Sequence, residues 1–361
     1  MQKLGVETGK KEIVTLDDIA RRAGVSQPTV SRALADSPLI SAKTKARIQL
    51  IADEAGYQVN LIARSLKTKS TRTLGLVVPE VSNPYFPKLI QCFADASRAA
   101  GYNLQLQLSG AYQEAEASCL GYLREARVDG ILIVTSQGGL PAKAQAEALL
   151  NAGVPVVVLG WVDECERLDV VMADDAIGGR ALARHLIEAG HTRIAIVGAA
   201  LHRGPYDRLV GFLDGLAEAG LDAERTVCFQ AASDADVERA VESWLTMSER
   251  PTALFAYRDV LAAVLLKHLS DRGLSVPADV TVVGFDNIDL ATYVTPRLTT
   301  VDLSVEALAS AAVKQILARI NERPMEAAPS RQILGTRLVV RQSSGPPPLQ
   351  SSLMPWQRTT A

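Results

Sequence analysis

The sequence predicts two structural parts: a small all-α helix-turn-helix head at the N-terminus and, after a hinge helix, a two-lobed, doubly wound parallel α/β core. Three observations predict this. Apolar residues between Val14 and Ala55 recur at helical spacing in three short runs, each opened by a capping residue. From Leu74 to Gly284, short runs rich in Val, Ile and Leu alternate with helix-length segments, the pattern of a parallel sheet covered on both faces. That alternation fills residues 72–341, which is long for one open sheet, so two lobes with a cleft between them are the economical arrangement.

Composition bounds the class. With 361 residues, 48% hydrophobic and 22% charged, the chain can build a large core and more than one domain. No apolar run approaches the roughly 20 residues that span a bilayer. The opening Met1-Gln2-Lys3-Leu4-Gly5-Val6-Glu7 has no signal-peptide core, so a cytoplasmic location and no membrane partner are expected. Residues 1–70 hold 12 Lys and Arg against 7 Asp and Glu, while the remainder holds 26 against 33. A basic head on an acidic body is the footprint of a chain that meets phosphate at one end. Cys92, Cys119, Cys165 and Cys228 form no C-x-x-C and read as buried thiols, and the four histidines form no H-x-x-x-H, so neither a metal nor a cofactor is expected.

In the head, Thr15 caps the first helix, with Asp18 three residues on, Leu16, Ile19, Ala20 and Ala23 on the inner face, and Gly24 as a left-handed stop. Ser26 reads as the cap of a second helix that packs Val30, Ala33 and Leu34 inward. Gln27, Thr29, Ser31 and Arg32 then lie on its outer face. Short amide, hydroxyl and guanidinium donors near a helix N-terminus are what reads base edges in a major groove. A third helix runs from Ser41 over Ile48, Ile51, Ala52 and Ala55 to Gly56. Next comes Asn60-Leu61-Ile62-Ala63-Arg64-Ser65-Leu66-Lys67, apolar on one side, basic on the other and too short to be stable alone. The blander reading of the head is a small amphipathic helical domain that binds protein or ligand; the charge balance speaks for DNA.

The run V-T-L-D-D-I-A-R-R-A-G-V-S-x-x-T-V-S-R-A-L, then S-x-x-T-x-x-x-I, G-Y and A-R-S-L, resembles the headpiece and hinge of the lactose-repressor (LacI-type) family. The resemblance implies a ligand-responsive transcriptional regulator, most simply a repressor, binding a near-palindromic double-stranded DNA operator as a homodimer. It places Thr15, Gln27, Pro28, Thr29, Ser31 and Arg32 at the major groove, and Ala63, Leu66 and Lys67 at the minor groove, with Leu66 as the wedge between base steps. Two residues depart from the pattern. Pro28 removes a polar side chain from a base-reading position, and Val59 stands where a proline usually precedes the hinge.

In the core, Leu74–Val78, Leu104–Leu108, Gly130–Val134, Val154–Leu159, Ile194–Gly198, Ala253–Ala256 and Val280–Gly284 read as strands. Asn83-Pro84-Tyr85-Phe86, Val128-Asp129-Gly130, Ala189-Gly190-His191, Gly284-Phe285-Asp286 and Pro296-Arg297-Leu298-Thr299-Thr300 carry the resemblance onward. It implies a core resembling periplasmic sugar-binding proteins, crossed between lobes near 159–172, 299–304 and 321–330, with Val305–Ile320 returning to the first lobe. The expected domains are a tail at 1–13, the head at 14–59, the hinge at 60–71, the core at 72–341 and a flexible tail at 342–361.

For the cleft, the resemblance implies Tyr85 and Phe86 facing the ligand, Arg208 donating and Asp286 accepting, a set suited to a polyhydroxylated ring such as a sugar. Trp161, His202, Gly204 and Arg258 align more loosely with pocket positions. Each has a plainer reading: Tyr85 and Phe86 as core aromatics, Arg208 as a solvated helix charge, Asp286 as a helix cap. Arg258 replaces a customary amide and Gly160 a customary acid, which predicts a net positive cleft and an acidic sugar derivative as effector; if Arg258 instead pairs with Asp259, Asp175 or another carboxylate, the pocket is neutral and a plain sugar or glycoside is expected. No nucleophile elbow and no dinucleotide fingerprint is present, so an enzyme is not expected. The competing reading is a cytoplasmic small-molecule-binding protein or an enzyme of carbohydrate metabolism without DNA function.

Overall fold

A computed structural model describes residues 14–57, 65, 68, 70–110, 112–135, 140–162, 167–198, 207–222, 226–321 and 328–348. The chain divides into two compact units, residues 1–71 and 72–361.

The first unit holds α1 (Leu16–Ala23), α2 (Gln27–Leu34) and α3 (Ala42–Glu54). Thr15 and Asp18 close a reciprocal capping box: the Thr15 amide donates to the Asp18 carboxylate at 3.0 Å and the Asp18 amide to the Thr15 hydroxyl at 3.3 Å. Gly24 ends α1 at φ 62°, where a residue without Cβ turns left-handed at least cost. Ile19, Val30 and Ile48, one from each helix, are fully buried and meet Ala20, Ala23, Ala33 and Ala52. Ser26 has the extended backbone of a cap, but its hydroxyl lies 2.9 Å from the Thr29 hydroxyl instead of bonding a helix amide. Pro28 sits at the second helical position, where the missing N–H has no partner in any α-helix, so it enters α2 without breaking it.

The second unit is α/β. Its elements in order are β1 (Thr73–Val78), α4 (Tyr85–Ala99), β2 (Asn103–Leu108), α5 (Gln113–Glu125), β3 (Gly130–Val134), α6 (Lys143–Asn151), β4 (Val156–Leu159) and β5 (Asp169–Asp174). Then follow α7 (Asp175–Glu188), β6 (Ile194–Val197), α8 (Arg208–Glu218), β7 (Val227–Phe229), α9 (Asp234–Leu245), β8 (Ala253–Ala256), α10 (Asp259–Asp271) and β9 (Thr281–Val283). The last are α11 (Leu290–Tyr293), β10 (Thr300–Asp302), α12 (Val305–Asn321), β11 (Arg331–Gly335) and β12 (Arg337–Val339).

One sheet is parallel with order β11-β5-β4-β3-β1-β2, and a second is parallel with order β7-β6-β8-β9. An antiparallel β10–β12 pair carries two of the crossings between them. Because the strands are covered on both faces, they read as unbroken apolar runs: β1, β3, β4, β6 and β8 are buried almost throughout. Leu89 and Phe93 of α4 and Ala309, Val313 and Ile316 of α12 fill one face of the first sheet, while Leu120, Leu123 and Leu149 fill the other.

The crossings differ from those expected. The stretch 169–174 is strand β5 of the first sheet, so the first crossing falls at Asp174–Asp175 and not near 159–172. Likewise 331–335 is β11, paired with β5, so the third falls at Thr336 and not near 321–330. The second, at β10, and the return of α12 to the first sheet lie where expected.

The chain after Arg341 is not a loose tail as far as it is described. Ser343 is fully buried; its hydroxyl donates to the Val282 carbonyl at 2.5 Å and accepts from the Thr299 amide at 2.9 Å. Gly345 accepts from His191 Nε2 at 2.9 Å, and Ser344 lies 2.9 Å from His185 Nε2. Gly and Ser stop regular structure, yet here they form a strap whose backbone and hydroxyl groups complete the edge of the second sheet. Residues 1–13 and 349–361, and the expected hinge apart from Ser65, Thr68, Ser70 and Thr71, lie outside the described residues.

Candidate functional site

On the head, the outer face of α2 presents what the sequence placed there. Gln27, Pro28 and Arg32 are exposed, Thr29 and Ser31 are half-buried, and exposed Thr15 begins α1. No described acidic side chain lies within α2, so its N-terminal dipole and Arg32 face solvent as a donor surface. Ala63, Leu66 and Lys67 lie outside the described residues.

In the second unit, the side chains that matter sit at the carboxyl ends of parallel strands, the standard place for a ligand in open α/β sheets. Arg208 opens α8 after β6, Asp175 opens α7 after β5, Arg258 and Asp259 follow β8, and Asp286 follows β9. Two glycines allow the first pair to meet. A Cβ on Gly179 would lie 2.0 Å from the Arg208 carbonyl and one on Gly211 1.9 Å from the Ala176 carbonyl, so α7 and α8 cross at near backbone contact. At that distance Arg208 reaches Asp175 at 2.7 Å and, from its other nitrogen, Asp286 at 2.9 Å and the Tyr257 carbonyl at 2.9 Å.

The guanidinium lies 4.0 Å from the Phe285 ring centroid and 4.9 Å from that of Tyr257. Stacking of this kind favours the delocalised arginine cation over lysine. The Tyr257 hydroxyl donates to Asp207 at 2.9 Å. Burial works against the charge on Arg208, but Asp175 and Asp286 outweigh it and hold the guanidinium charged. Burial pushes the Asp175 carboxyl up to about 6, against the pull of Arg208, and raises Asp286 as well. Tyr85 lies within the field of the same group: burial first, then the charges of Asp286 and Asp175, raise its phenol. Tyr85 packs edge-on against Phe86, centroids 5.3 Å apart.

The structure therefore brings Tyr85, Arg208 and Asp286 together, with Arg258 acting on Asp286 through its charge. Phe86 lies against Tyr85 and the first apolar cluster. Trp161 packs on the cluster at the opposite face of the first sheet, with Arg331 5.3 Å above its ring. His202 and Gly204 lie outside the described residues. Asp286 is not a helix cap and Arg208 is not a solvated charge, since each is largely buried in their ion pair.

One expectation is corrected. The cleft does not have a net positive charge among the described residues, because Asp175, which the sequence offered only as a possible partner of Arg258, pairs with Arg208 beside Asp286, and Asp207 stands close by. The acid missing at Gly160 is explained by backbone: φ is +115°, and a Cβ would meet the Thr135 hydroxyl at 2.1 Å. Sequence reasoning offers Asp175 only as a possible partner of Arg258 and gives Tyr257 and Phe285 no role at the ligand; the one further local signal is the Asp174-Asp175 pair ahead of a helix-length run. Cys119 is buried as expected, but Cys92 is only half-buried and Cys228 is exposed because it is the outward residue of the short strand β7; Cys165 lies outside the described residues. No group of metal-binding side chains and no helix long and apolar enough to cross a membrane occurs among the described residues.

Comparison with known proteins accounts for both parts. The pattern of bacterial regulatory proteins of the lacI family matches residues 15–60, and that of a periplasmic binding protein-like domain matches residues 183–344. The HTH-type transcriptional repressor PurR of Vibrio atlanticus (strain LGP32) is 32% identical over 316 residues, 87% of this chain and 94% of that protein. Among solved structures, the transcriptional regulator CelR–cellobiose complex aligns with TM-score 0.67 at 28% identity, over 92% of this chain and 100% of that one. The lac repressor dimer bound to operator and the anti-inducer ONPF shares the fold, with TM-score 0.81 at 24% identity over 92% of this chain and 100% of that one. With a DNA-reading head at one end, a ligand cleft in an α/β core and a repressor matched along nearly its full length, this chain belongs to the LacI family of DNA-binding transcriptional regulators and is not an enzyme.

Proposed function

We propose that the chain is a cytoplasmic repressor that binds a near-palindromic operator as a homodimer and responds to a small sugar or sugar derivative held in the cleft. One observation carries the ligand class: a buried guanidinium flanked by two carboxylates and two aromatic rings, with Tyr85 facing it. Vicinal hydroxyls both donate and accept, so they satisfy Asp175 and Asp286 while accepting from Arg208, and the half-buried Tyr85 and Phe86 offer an aromatic surface for the ring's apolar face. That a structural neighbour is a cellobiose complex supports a sugar. Since the carboxylates already match the cations, a neutral sugar fits best. A second reading, an acidic sugar derivative, is favoured only by Arg258, which acts on Asp286 through its charge but, among the described residues, forms no ion pair like those of Arg208 with Asp175 and Asp286.

On the head, Gln27, Pro28, Thr29, Ser31 and Arg32 are assigned to the major groove, with Thr15 at the start of α1 beside them; Ala63, Leu66 and Lys67 are assigned to the minor groove by sequence alone. A symmetric pair of heads gives a symmetric site and enough base contacts for useful specificity. Titration calorimetry with neutral sugars and their matched uronic or aldonic acids, paired with gel shifts on the promoter of the chain's own operon, tests this. Binding of a neutral sugar that alters the shift supports it. Binding of acids alone moves the effector to the second reading, and no shift with any sugar overturns the effector class.

A further inference from the structure

Asp286 sits in a conformation that its own residue type resists. Its φ is 114°, and Asn287 beside it has φ 51°, so two consecutive non-glycine residues lie on the left-handed side of the map, where L side chains rarely sit. Such a loop persists only if its surroundings over-determine it. The clamp is Asp259, the fully buried first residue of α10. Its amide donates to the Phe285 carbonyl at 2.9 Å, on one side of the strained pair. Its Oδ2 accepts from the Ile288 amide at 3.0 Å, on the other side. Its Oδ1 accepts from the Thr300 hydroxyl at 2.5 Å, and Thr300 belongs to β10, the strand that crosses between the lobes. The same hydroxyl accepts from the Asn287 amide at 3.4 Å, and the Asp286 amide donates to the Val301 carbonyl at 3.0 Å. Even Gly284 conforms, since a Cβ there would lie 2.4 Å from Asp259 Oδ1.

We propose that Asp259 is a positioning residue that holds Asp286 in its strained conformation and joins the ligand loop to the crossing strand β10 through Thr300. Its consequence for ligand response rests on the effector reading above, but the linkage itself is a property of the ligand-free chain. The charged groups acting on Asp259 are Asp286, from the loop after β9, and Arg208, from α8; β10 and Ile288 offer it a hydroxyl and an amide. Burial first, and then the charge of Asp286, push its carboxyl well above the usual range. Burial thus favours the protonated form, in which the hydrogen lies on Oδ1 and the bond to the Thr300 hydroxyl runs the other way while Oδ2 still accepts from the Ile288 amide; asparagine, with its amide nitrogen toward Thr300, is the neutral mimic of that form.

Hydrogen exchange of the full-length, ligand-free protein tests this. Asp259→Ala should speed exchange, corrected for intrinsic rate, by about tenfold or more both at 286–288 and in β10, the scale of one buried hydrogen-bonding group left without its partner. Asp259→Asn should restore protection at pH 6. It should also abolish the loosening of 286–288 that the wild type shows as pH rises toward 9, which a merely structural helix start would not produce. Thr300→Val, on a different element, should loosen 286–288 as well, and this variant decides the case if Asp259→Ala does not fold. Unchanged exchange at 286–288 in Thr300→Val, or loosening confined to α10 in Asp259→Ala, overturns the proposal. So does a wild-type pH dependence in Asp259→Asn. No effector enters any arm, so failure of the sugar reading leaves this result standing.

Discussion

Arg208 decides the chemistry of the cleft, and its value comes from what it neutralises. It holds two largely buried carboxylates, and removing one partner of such a set leaves uncompensated charge in a poorly solvated place. Arg208→Ala should therefore destabilise the core by about 3–5 kcal/mol, seen as a lowered denaturant midpoint, and should recover part of that loss in acid, where Asp175 and Asp286 take up protons. A destabilisation below about 1 kcal/mol would show the pair to be solvated after all. Asp175 gives a separate pH signature. Its carboxyl stands at about 6 in the fold against an ordinary 3.8, so the protonated form is the stabilising one. That stability is fully present below about pH 4 and is lost as pH rises through about 6. Asp175→Asn should flatten the stability profile across that window, and a slope equal to wild type would contradict the assignment. Tyr85, Arg208 and Asp286 were legible in the sequence because each sits in a family-like motif. Asp175 was legible only as a possible partner of Arg258; its pairing with Arg208 was not, because the two lie 33 residues apart and meet only through the helix crossing.

That crossing is made by elements, and its tolerance is small. Gly211 meets the Ala176 backbone, which no rotamer change relieves. Gly211→Ala should push α7 and α8 apart, break the 2.7 Å contact between Asp175 and Arg208, and cost more than the usual penalty for overpacking, about 1–3 kcal/mol. Wild-type stability in that variant would mean that the helices have slack. The strap offers the opposite case, order where the sequence suggested none. Its Gly345 carbonyl is a pure acceptor, so His191 Nε2 carries the hydrogen and Nδ1 accepts from Thr252 at 2.8 Å. Burial holds the His191 pKa below its ordinary 6.5, so this contribution is present above about pH 6.5 and is lost as pH falls further. His191→Gln should remove that acid sensitivity, as read from the thermal midpoint between pH 7 and 5. The long strands and the capped head helices were legible because burial on both faces and capping boxes leave local marks. β5, the three-residue strands β7 and β10, β11, β12 and the strap were not. β11 is an edge strand whose residues alternate exposed and half-buried, β12 has three residues, and the strap is held by long-range partners that no local window contains.

At the scale of the whole molecule, two functions reside in two compact units of opposite charge balance. The head carries 12 Lys and Arg against 7 Asp and Glu in residues 1–70, so operator binding should weaken as salt rises, in proportion to the phosphates neutralised. The remainder, with 26 against 33, adds nothing to that attraction. Variants in the two units should thus act on different observables. Tyr85→Phe removes one hydroxyl from the cleft without opening the Asp175–Arg208–Asp286 group, and should leave operator affinity and its salt slope at wild-type values while weakening the response to effector. Arg32→Ala acts on the head, and the salt slope says how. If Arg32 reads a base edge, the loss should be about 1–3 kcal/mol at a single operator position with the slope nearly unchanged. If it touches phosphate, every sequence should weaken alike and the slope should fall by about one. The exposed place of Arg32 on α2 favours the first outcome. Measuring operator affinity at several salt concentrations for wild type, Arg32→Ala and Tyr85→Phe decides it. A changed salt slope in Tyr85→Phe would mean that the cleft and the head are not separable in the way their chemistry implies.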